Sequence, residues 1–277
     1  MTATKTTGLL RVPGAALSFE LRGTGPMLLI SQSGEGDAGR STDLVDQLAG
    51  DYTVVTYDRR GLSRSALDDP GQGVTLAQHA DDIHRLLAEL TDQPVPMLGC
   101  SLGASIGFHL AVEHPEQIST LVAHEPVTPR LLPADQRDRH ERELEEIQHI
   151  HRRDGLRAAL AMVADVLGID PANPDFEPDL TPQPMTPQRV RNFTFFIEHD
   201  LTAIIRDTLD VTALKDTPTR IVPVVGRTTP HTVFDRTCAT ALADLHGTHV
   251  REFPGGHNGN TTHPRAYATA LRAALNA

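Results

Sequence analysis

The chain has 277 residues, a formal net charge of −11 and only two cysteines, Cys100 and Cys238. This length suits one large domain, or one domain that carries an insertion, and the acidic balance argues against nucleic acid or an anionic membrane as the main partner, because both bind basic surfaces. Two cysteines make no disulfide framework, and neither a signal peptide nor a run near the ~18 apolar residues of a membrane span is seen, so the expected location is cytoplasmic.

Apolar runs, helical spacing and turn residues predict eight strands and eight helices. In chain order these are strands 7–12, 15–23 and 26–31, helix 41–50, strand 52–58, helix 75–91, strand 94–100, helix 102–115, strand 118–126, helices 135–153, 155–168 and 189–209, strand 219–226, helix 230–247, strand 248–256 and helix 263–277. The first two strands flank a Pro-Gly turn and form a predicted hairpin.

Short apolar strands that alternate with helices predict parallel βαβ units in a buried sheet. The alternation stops between residues 128 and 216, where only helices and a Pro-rich loop are predicted. We therefore expect an α/β core formed by residues 1–127 and 217–277, with residues 128–216 inserted as a helical cap or lid domain.

The segment "LGCSLGAS" places Ser101 between Gly99 and Gly103, after a predicted strand and directly before a predicted helix. G-x-S-x-G in this context is the signature of a nucleophile elbow, a tight turn whose neighbours must lack bulky side chains. The free N–H groups at the start of the helix could stabilise a developing oxyanion. The alternative is a Gly/Ser bend used only for close packing of helix and strand.

The strand count, the elbow, the helical insertion after the sixth predicted strand and a late Gly-Gly-His together resemble the α/β-hydrolase superfamily. The resemblance covers nearly the whole chain. "GCSLGAS" and "AHEP" are most similar to the zearalenone lactone hydrolases and to bacterial ester hydrolases with a His-Glu-Pro motif. The resemblance implies an α/β-hydrolase fold with a mostly parallel eight-stranded sheet, and serine chemistry without a cofactor. The chain has no Trp, whereas the lactone hydrolases are known for a cap Trp over the substrate.

His257, in "FPGGHNGN" just past the last predicted strand, is the expected general base. The family keeps its histidine there, and the carboxyl end of a parallel strand lies on the same edge of the sheet as Ser101. Imidazole suits the role because its pKa lies near working pH. His263, six residues later, is the alternative.

Most relatives supply the triad acid after the seventh strand, but here that loop offers only Thr228 and Thr229. A threonine cannot carry the charge that stabilises an imidazolium, and Thr229 before Pro230 is instead predicted to cap the next helix. In the lactone hydrolases that the chain resembles, the acid is the Glu of the His-Glu-Pro motif, here Glu125. Asp235 is the remaining alternative.

One oxyanion donor should be the backbone N–H of Leu102, which follows the nucleophile. The second should come from the loop after the third strand, "ISQSGEGD", through the N–H of Gly34 or Glu35. Within the cap, Phe193 and Phe196 belong to an apolar stripe at helical spacing. The stripe could pack the cap, or one or two of its members could line an acyl or ring pocket.

These features predict a serine hydrolase of a small-molecule carboxylic ester or lactone, with a Ser-His-Glu triad of Ser101, His257 and Glu125 and with no cofactor, nucleic acid or membrane partner. No CxxC pair or HExxH is present, so no metal site is expected. C–C bond hydrolysis, cofactor-free perhydrolysis, or a ligand-binding protein of low turnover on the same fold remain alternatives, and a homodimer is left open.

Overall fold

A computed structural model describes residues 5–277 of the chain. In these residues the strands are β1 (Lys5–Val12), β2 (Ala15–Arg22), β3 (Met27–Ser31), β4 (Thr53–Tyr57), β5 (Ala66–Leu67), β6 (Val95–Cys100), β7 (Ile118–His124), β8 (Arg220–Gly226) and β9 (Arg251–Phe253). The helices are α1 (Thr42–Leu48), α2 (Leu76–Leu90), α3 (Leu102–Glu113), α4 (Ala134–Asp154), α5 (Leu156–Val166), α6 (Pro187–Phe195), α7 (Leu201–Ile205), α8 (Phe234–Leu245), α9 (Gly259–Thr262) and α10 (Pro264–Leu275).

The strands form a single sheet in the order β1-β2-β4-β3-β6-β7-β8-β9, and β5 pairs with β2. The six strands from β4 to β9 in that order run parallel, while β1, β2 and β5 pair antiparallel. The carboxyl ends of β3, β6, β7, β8 and β9 therefore lie along one edge of the sheet.

Alternating side chains of each strand fill the two faces of the sheet, as period-two geometry requires. Leu28 and Ile30 of β3 pack with α1 and α10 on one face, whereas Leu29 packs with α2 and α3 on the other. The strands read as continuous apolar runs because both faces are covered. The predicted α/β-hydrolase fold is confirmed.

The structure corrects three details of the predicted core. Within residues 5–277 the sheet has nine strands rather than eight, because Ala66 and Leu67, in a segment predicted as loop, pair with β2. The last strand covers only Arg251–Phe253, since Pro254 cannot donate to a ladder. The predicted cap at Thr229 is wrong: α8 begins at Phe234, and the buried Thr229 hydroxyl has no hydrogen-bond partner within residues 5–277.

Between residues 128 and 216 the described chain consists of helices and loops, including the predicted Pro-rich loop, and contains no strand. The predicted helix 189–209 is interrupted between α6 and α7 by a π-helical turn, Phe196–Asp200, in which the N–H of Leu201 donates to the carbonyl of Phe196. Among the described residues, no helix is both long and apolar enough to cross a membrane.

Candidate active site

Ser101 occupies a strained turn between β6 and α3. Its backbone angles are φ 52° and ψ −116°, a region that residues other than glycine seldom adopt. A Cβ on Gly99 would lie 2.6 Å from the Cα of Ala104, and one on Gly103 would lie 2.1 Å from the carbonyl oxygen of Ser31. Both glycines are therefore required by close backbone approach, which is the steric reason for the G-x-S-x-G spacing.

Glu125 follows β7 and is buried with a positive φ of 43°. Its N–H donates to the carbonyl of Val224 at 2.9 Å, and its Oε1 accepts from the N–H of Gly226 at 2.8 Å. Both contacts tie the residue to β8, the neighbouring strand. Two hydrogen bonds to the backbone of β8, one from the Glu125 N–H and one to its carboxylate, thus position Glu125.

His257 lies in the turn between β9 and α9, and its Nδ1 is 2.8 Å from Glu125 Oε2. The approach depends on Gly226, because a Cβ there would lie 2.5 Å from the backbone of Gly256. The structure thus brings His257 and Glu125 together as a buried hydrogen-bonded pair, at the same sheet edge as Ser101. Within the part of the chain that the structure describes, no hydrogen bond joins the Ser101 hydroxyl to His257.

The ionisation of the two partners follows from this contact. Burial alone would raise the pKa of Glu125, but the hydrogen bond and charge of His257 outweigh it and lower that pKa to about 2. Burial alone would lower the pKa of His257, but the hydrogen bond and charge of Glu125, aided by the charge of Asp235, raise it above its ordinary value. Glu125 is therefore ionised at neutral pH and stabilises a protonated imidazole.

Asp235 lies on the opposite side of the histidine. Its Oδ2 is 3.8 Å from His257 Nε2, and its Oδ1 is 3.5 Å from Nε2 of His140 on α4. Burial raises the pKa of the Asp235 carboxyl. Glu125, and not Asp235, makes the hydrogen bond to His257, but Asp235 faces Nε2, the ring nitrogen that Glu125 leaves free. The sequence did not indicate His140, whose charged helix offers no local signal for a buried histidine.

The loop after β3 lies beside α3, where Leu102 is the first helical residue and is buried. Gly34 lies against Phe196, because a Cβ on Gly34 would meet the Phe196 ring at 2.7 Å. The Glu35 carboxylate is paired with Arg40 Nε at 2.8 Å and with Arg189. Glu35 is thus engaged through its side chain, which leaves its N–H, like that of Gly34, as a candidate donor.

Arg59, which the sequence analysis did not single out, binds the backbone of the loop after β3. Arg59 donates to the carbonyl oxygens of Gln32 at 3.0 Å, Ser33 at 2.6 Å and Gly34 at 2.7 Å. The neighbouring Arg60 points elsewhere and pairs with Asp82. The segment "YDRRGLSRS" contains two adjacent arginines, Arg59 and Arg60. Without the fold, the sequence does not show which of the two contacts the loop after β3.

The two phenylalanines predicted as candidate pocket residues, Phe193 and Phe196, occupy different surroundings. Phe196 packs on Gly34, whereas the ring of Phe193 lies 5.6 Å from the guanidinium of Arg189 in a cation–π contact. Neither lines the cavity of 920 Å³ that opens beside His257. The cavity is lined by Thr228, Thr229, Arg40 and Arg189 together with residues 167–171, 173–176 and 180–183, and Ser101 is not in its wall.

One group of potential metal ligands, His84, His114 and Glu116, lies together in the described residues. The two imidazole rings stack in parallel with centroids 3.6 Å apart, so their in-plane lone pairs do not converge. His114 follows the far end of α3, about 18 Å along the helix from Ser101. The group is separate from the residues described above.

Sequence comparison relates the chain to known hydrolases. Residues 26–144 match a family described as the alpha/beta hydrolase fold. The chain is 35% identical over 268 residues to the uncharacterized hydrolase YraK of Bacillus subtilis, and the alignment covers 95% of this chain and 94% of that protein.

Solved structures agree at the level of the fold. A hydrolase from Pseudomonas aeruginosa PA01 superposes with a TM-score of 0.66 at 24% identity over 98% of both chains. E-2-(acetamidomethylene)succinate hydrolase superposes with a TM-score of 0.68 at 18% identity, over 99% of this chain and 100% of that one. With the full-length similarity to YraK and the elbow geometry of Ser101, these matches establish that the chain belongs to the α/β-hydrolase superfamily and is a hydrolase of that fold.

Proposed function

We propose that the chain is a cofactor-independent serine hydrolase that cleaves a carboxylic ester or lactone through an acyl-enzyme intermediate. The observation that carries this proposal is the hydrogen-bonded pair of His257 and buried Glu125 at the sheet edge where Ser101 occupies its strained turn. Ser101 is the nucleophile, His257 the general base and Glu125 the triad acid.

The geometry supports one assignment of the protons. Because Glu125 faces Nδ1, that nitrogen carries the proton and Nε2 is free to accept one. Nε2 takes the hydroxyl proton as Ser101 attacks the carbonyl carbon, and returns it to the leaving alkoxide when the tetrahedral intermediate collapses. Water, which gives its proton to Nε2, then attacks the acyl-enzyme. Ser101 leaves with that proton and the carboxylic acid is released. In this proposal the hydrogen bond between Ser101 and Nε2, which is not formed in the described structure, forms when substrate binds, since catalytic hydrogen bonds often tighten only in the substrate complex.

Charge that develops on the carbonyl oxygen is held by backbone N–H groups. Leu102 begins α3, so its N–H has no partner within the helix. Gly34 or Glu35 supplies the second donor from the loop after β3. Two such donors, aimed at the position of the oxyanion, provide the largest electrostatic part of catalysis in enzymes of this kind.

Residues 128–216 form the cap over a core of residues 1–127 and 217–277. The support is contact with the core at two points of the segment: Phe196 packs on Gly34, and Thr181 hydrogen-bonds to Asp43 on α1. The cavity beside His257, partly walled by the cap's Pro-rich loop, has a volume of 920 Å³.

The proposal is tested with p-nitrophenyl esters of increasing acyl length and with a fluorophosphonate probe. Ester turnover, together with mass-spectrometric localisation of the probe on the peptide that contains Ser101, is the expected result. A protein that hydrolyses a diketone or generates peracid but cleaves no ester would exclude the ester or lactone reaction.

Phe196 is proposed to shape the acyl side of the site from its position on Gly34. We expect Phe196→Ala to change the relative kcat/KM among acyl lengths while the rate of Ser101 labelling stays within about tenfold. The matched control is Phe195→Ala, because the Phe195 ring packs against Gly61 instead. Equal losses on all esters, accompanied by a lower Tm, would show that Phe196 serves packing alone.

Asp235 is expected to influence the pH profile without being the triad acid. Its charge contributes to the raised pKa of His257, so Asp235→Asn should lower that pKa. Since His257 must be neutral to act as a base, the acid limb of kcat/KM should move to lower pH. The profile is measured at constant ionic strength; an unchanged or upward-shifted acid limb would contradict the expectation.

A further inference from the structure

Three ionisable side chains form a buried cluster at the boundary between the core and residues 128–216. Arg59, Asp200 and His79 are each at most 1% exposed. Asp200 Oδ2 accepts from Arg59 at 2.9 Å, and its Oδ1 lies 3.0 Å from His79 Nε2. Burying charged groups is costly even when they are paired, so such a cluster gives little net stability. Its geometry points to another use.

Arg59 connects this cluster to the loop after β3, which carries the candidate oxyanion donors Gly34 and Glu35. The same guanidinium that pairs with Asp200 donates to the carbonyl oxygens of Gln32, Ser33 and Gly34. In a trans peptide the N–H points away from the carbonyl of the same unit. When these three carbonyls face Arg59, the N–H groups of the three following residues face the opposite side. Successive N–H groups that share one side make an anion-binding concavity.

The π-helical turn Phe196–Asp200 acts on this loop directly through Phe196 and indirectly through Asp200. The Phe196 ring covers Gly34, and Asp200, four residues later, holds Arg59. A π-turn inserts one residue into a helix and is frequent at functional sites. Here the insertion lies between the two contacting residues, so a regular α-helix would rotate Asp200 relative to Phe196 by about 100°.

We propose that Asp200 is a positioning residue for catalysis: by fixing the guanidinium of Arg59, it holds the three carbonyls and so aims the N–H groups of Gly34 and Glu35 at the oxyanion. This role rests on the proposed serine hydrolase function. It makes the oxyanion hole depend on a residue of the cap, so that correct seating of the cap and competence for catalysis are coupled.

A second buried Asp–His pair offers a matched control. Asp207, just after α7, lies 2.9 Å from Nε2 of His109 on α3, and both side chains are almost fully buried. Like Asp200, it joins the helical segment to the core. None of its hydrogen bonds within residues 5–277 reaches the loop after β3, so Asp207→Asn reports the structural cost of losing such a pair.

The experiment compares Asp200→Asn with Asp207→Asn in the full chain. For a p-nitrophenyl ester, Asp200→Asn should lower kcat by about 10- to 100-fold, with KM within about threefold, because loss of one oxyanion donor costs up to 10³ in kcat. The rate of Ser101 phosphonylation should fall with kcat, since that reaction also places an oxygen in the hole. Asp207→Asn should keep kcat within about twofold while lowering Tm.

Arg59→Lys provides an independent test if Asp200→Asn does not fold. Lysine keeps the charge opposite Asp200 but cannot donate in a planar fork to three carbonyls, so a fall in kcat similar to that of Asp200→Asn is expected. This role alone would be overturned if Asp200→Asn kept the labelling rate of the wild-type protein and a kcat within about twofold of it. If only Arg59→Lys folds, the same result for that variant would overturn the role. A wild-type protein that is not labelled at Ser101 would overturn the proposed function, and this role with it.

Discussion

Replacing Ser101 with alanine should lower kcat for ester hydrolysis by on the order of 10⁶-fold, the cost of losing the nucleophile in a serine protease. The reason is that the remaining groups can bind and polarise an ester but cannot form the acyl-enzyme. Fluorophosphonate labelling, read by intact-mass spectrometry, should disappear completely. Far-UV circular dichroism should be unchanged, because alanine keeps the Cβ that the turn already accommodates and removes only the hydroxyl.

Ser105→Ala is the matched control for this experiment. Ser105 lies one turn further along α3, and its hydroxyl is hydrogen-bonded to Thr128 Oγ1 at 2.8 Å and to the carbonyl of Val127 at 3.0 Å. Its loss should cost about 1 kcal/mol of unfolding free energy and leave the labelling intact. A Ser101→Ala protein that still carries the label, or that turns over at a near-normal rate, would remove Ser101 from the mechanism.

The nucleophile turn could be predicted from the sequence because its constraints are local. Gly99 and Gly103 are needed for backbone approaches within a few residues or to an adjacent strand, so the pattern of residue types carries the geometry. The buried strands were predictable for a similar reason, since short apolar runs bounded by turn residues are typical of strands that are covered on both faces. The pairing of Glu125 with His257 could be expected from the resemblance and the order of the strands, although 132 residues separate them.

The parts that sequence reasoning missed depend on register and on distant partners. "RVRNFTFFIEHDLTAII" has the periodicity of one helix, and nothing in it marks the π-turn that brings Phe196 to Gly34 and Asp200 to Arg59. The partner of Asp200, Arg59, lies 141 residues earlier. Asp235 was placed well inside a helix predicted from residue 230, but α8 begins at Phe234. Asp235 therefore lies in the first turn, facing His257.

The fate of a Glu125→Gln variant should distinguish the two carboxylates that flank His257. Glutamine keeps the shape and can still accept the hydrogen bond from Gly226, but it removes the charge that faces Nδ1. Without that charge the imidazolium formed during attack is no longer stabilised, and the Nδ1–H tautomer is no longer enforced. Because the pKa of Glu125 is about 2, the charge is present across the whole working range, so no choice of pH should rescue the variant.

We expect kcat of Glu125→Gln to fall by roughly 10²- to 10⁴-fold with folding intact, since removal of the equivalent carboxylate in a serine protease costs about 10⁴. Asp235→Asn is the comparison, because it removes a buried charge of the same sign near the same ring but on the Nε2 side, 3.8 Å away. For Asp235→Asn, the acid limb of the kcat/KM pH profile should move to lower pH, while kcat on the pH plateau changes far less than in Glu125→Gln. The reverse ranking, a Glu125→Gln enzyme that keeps most of its turnover beside an inactive Asp235→Asn enzyme, would transfer the role of the acid to Asp235. That outcome would require the His257 ring to flip about its Cβ–Cγ bond during catalysis, because only then could Nδ1 face Asp235 on α8 and Nε2 point away from α8.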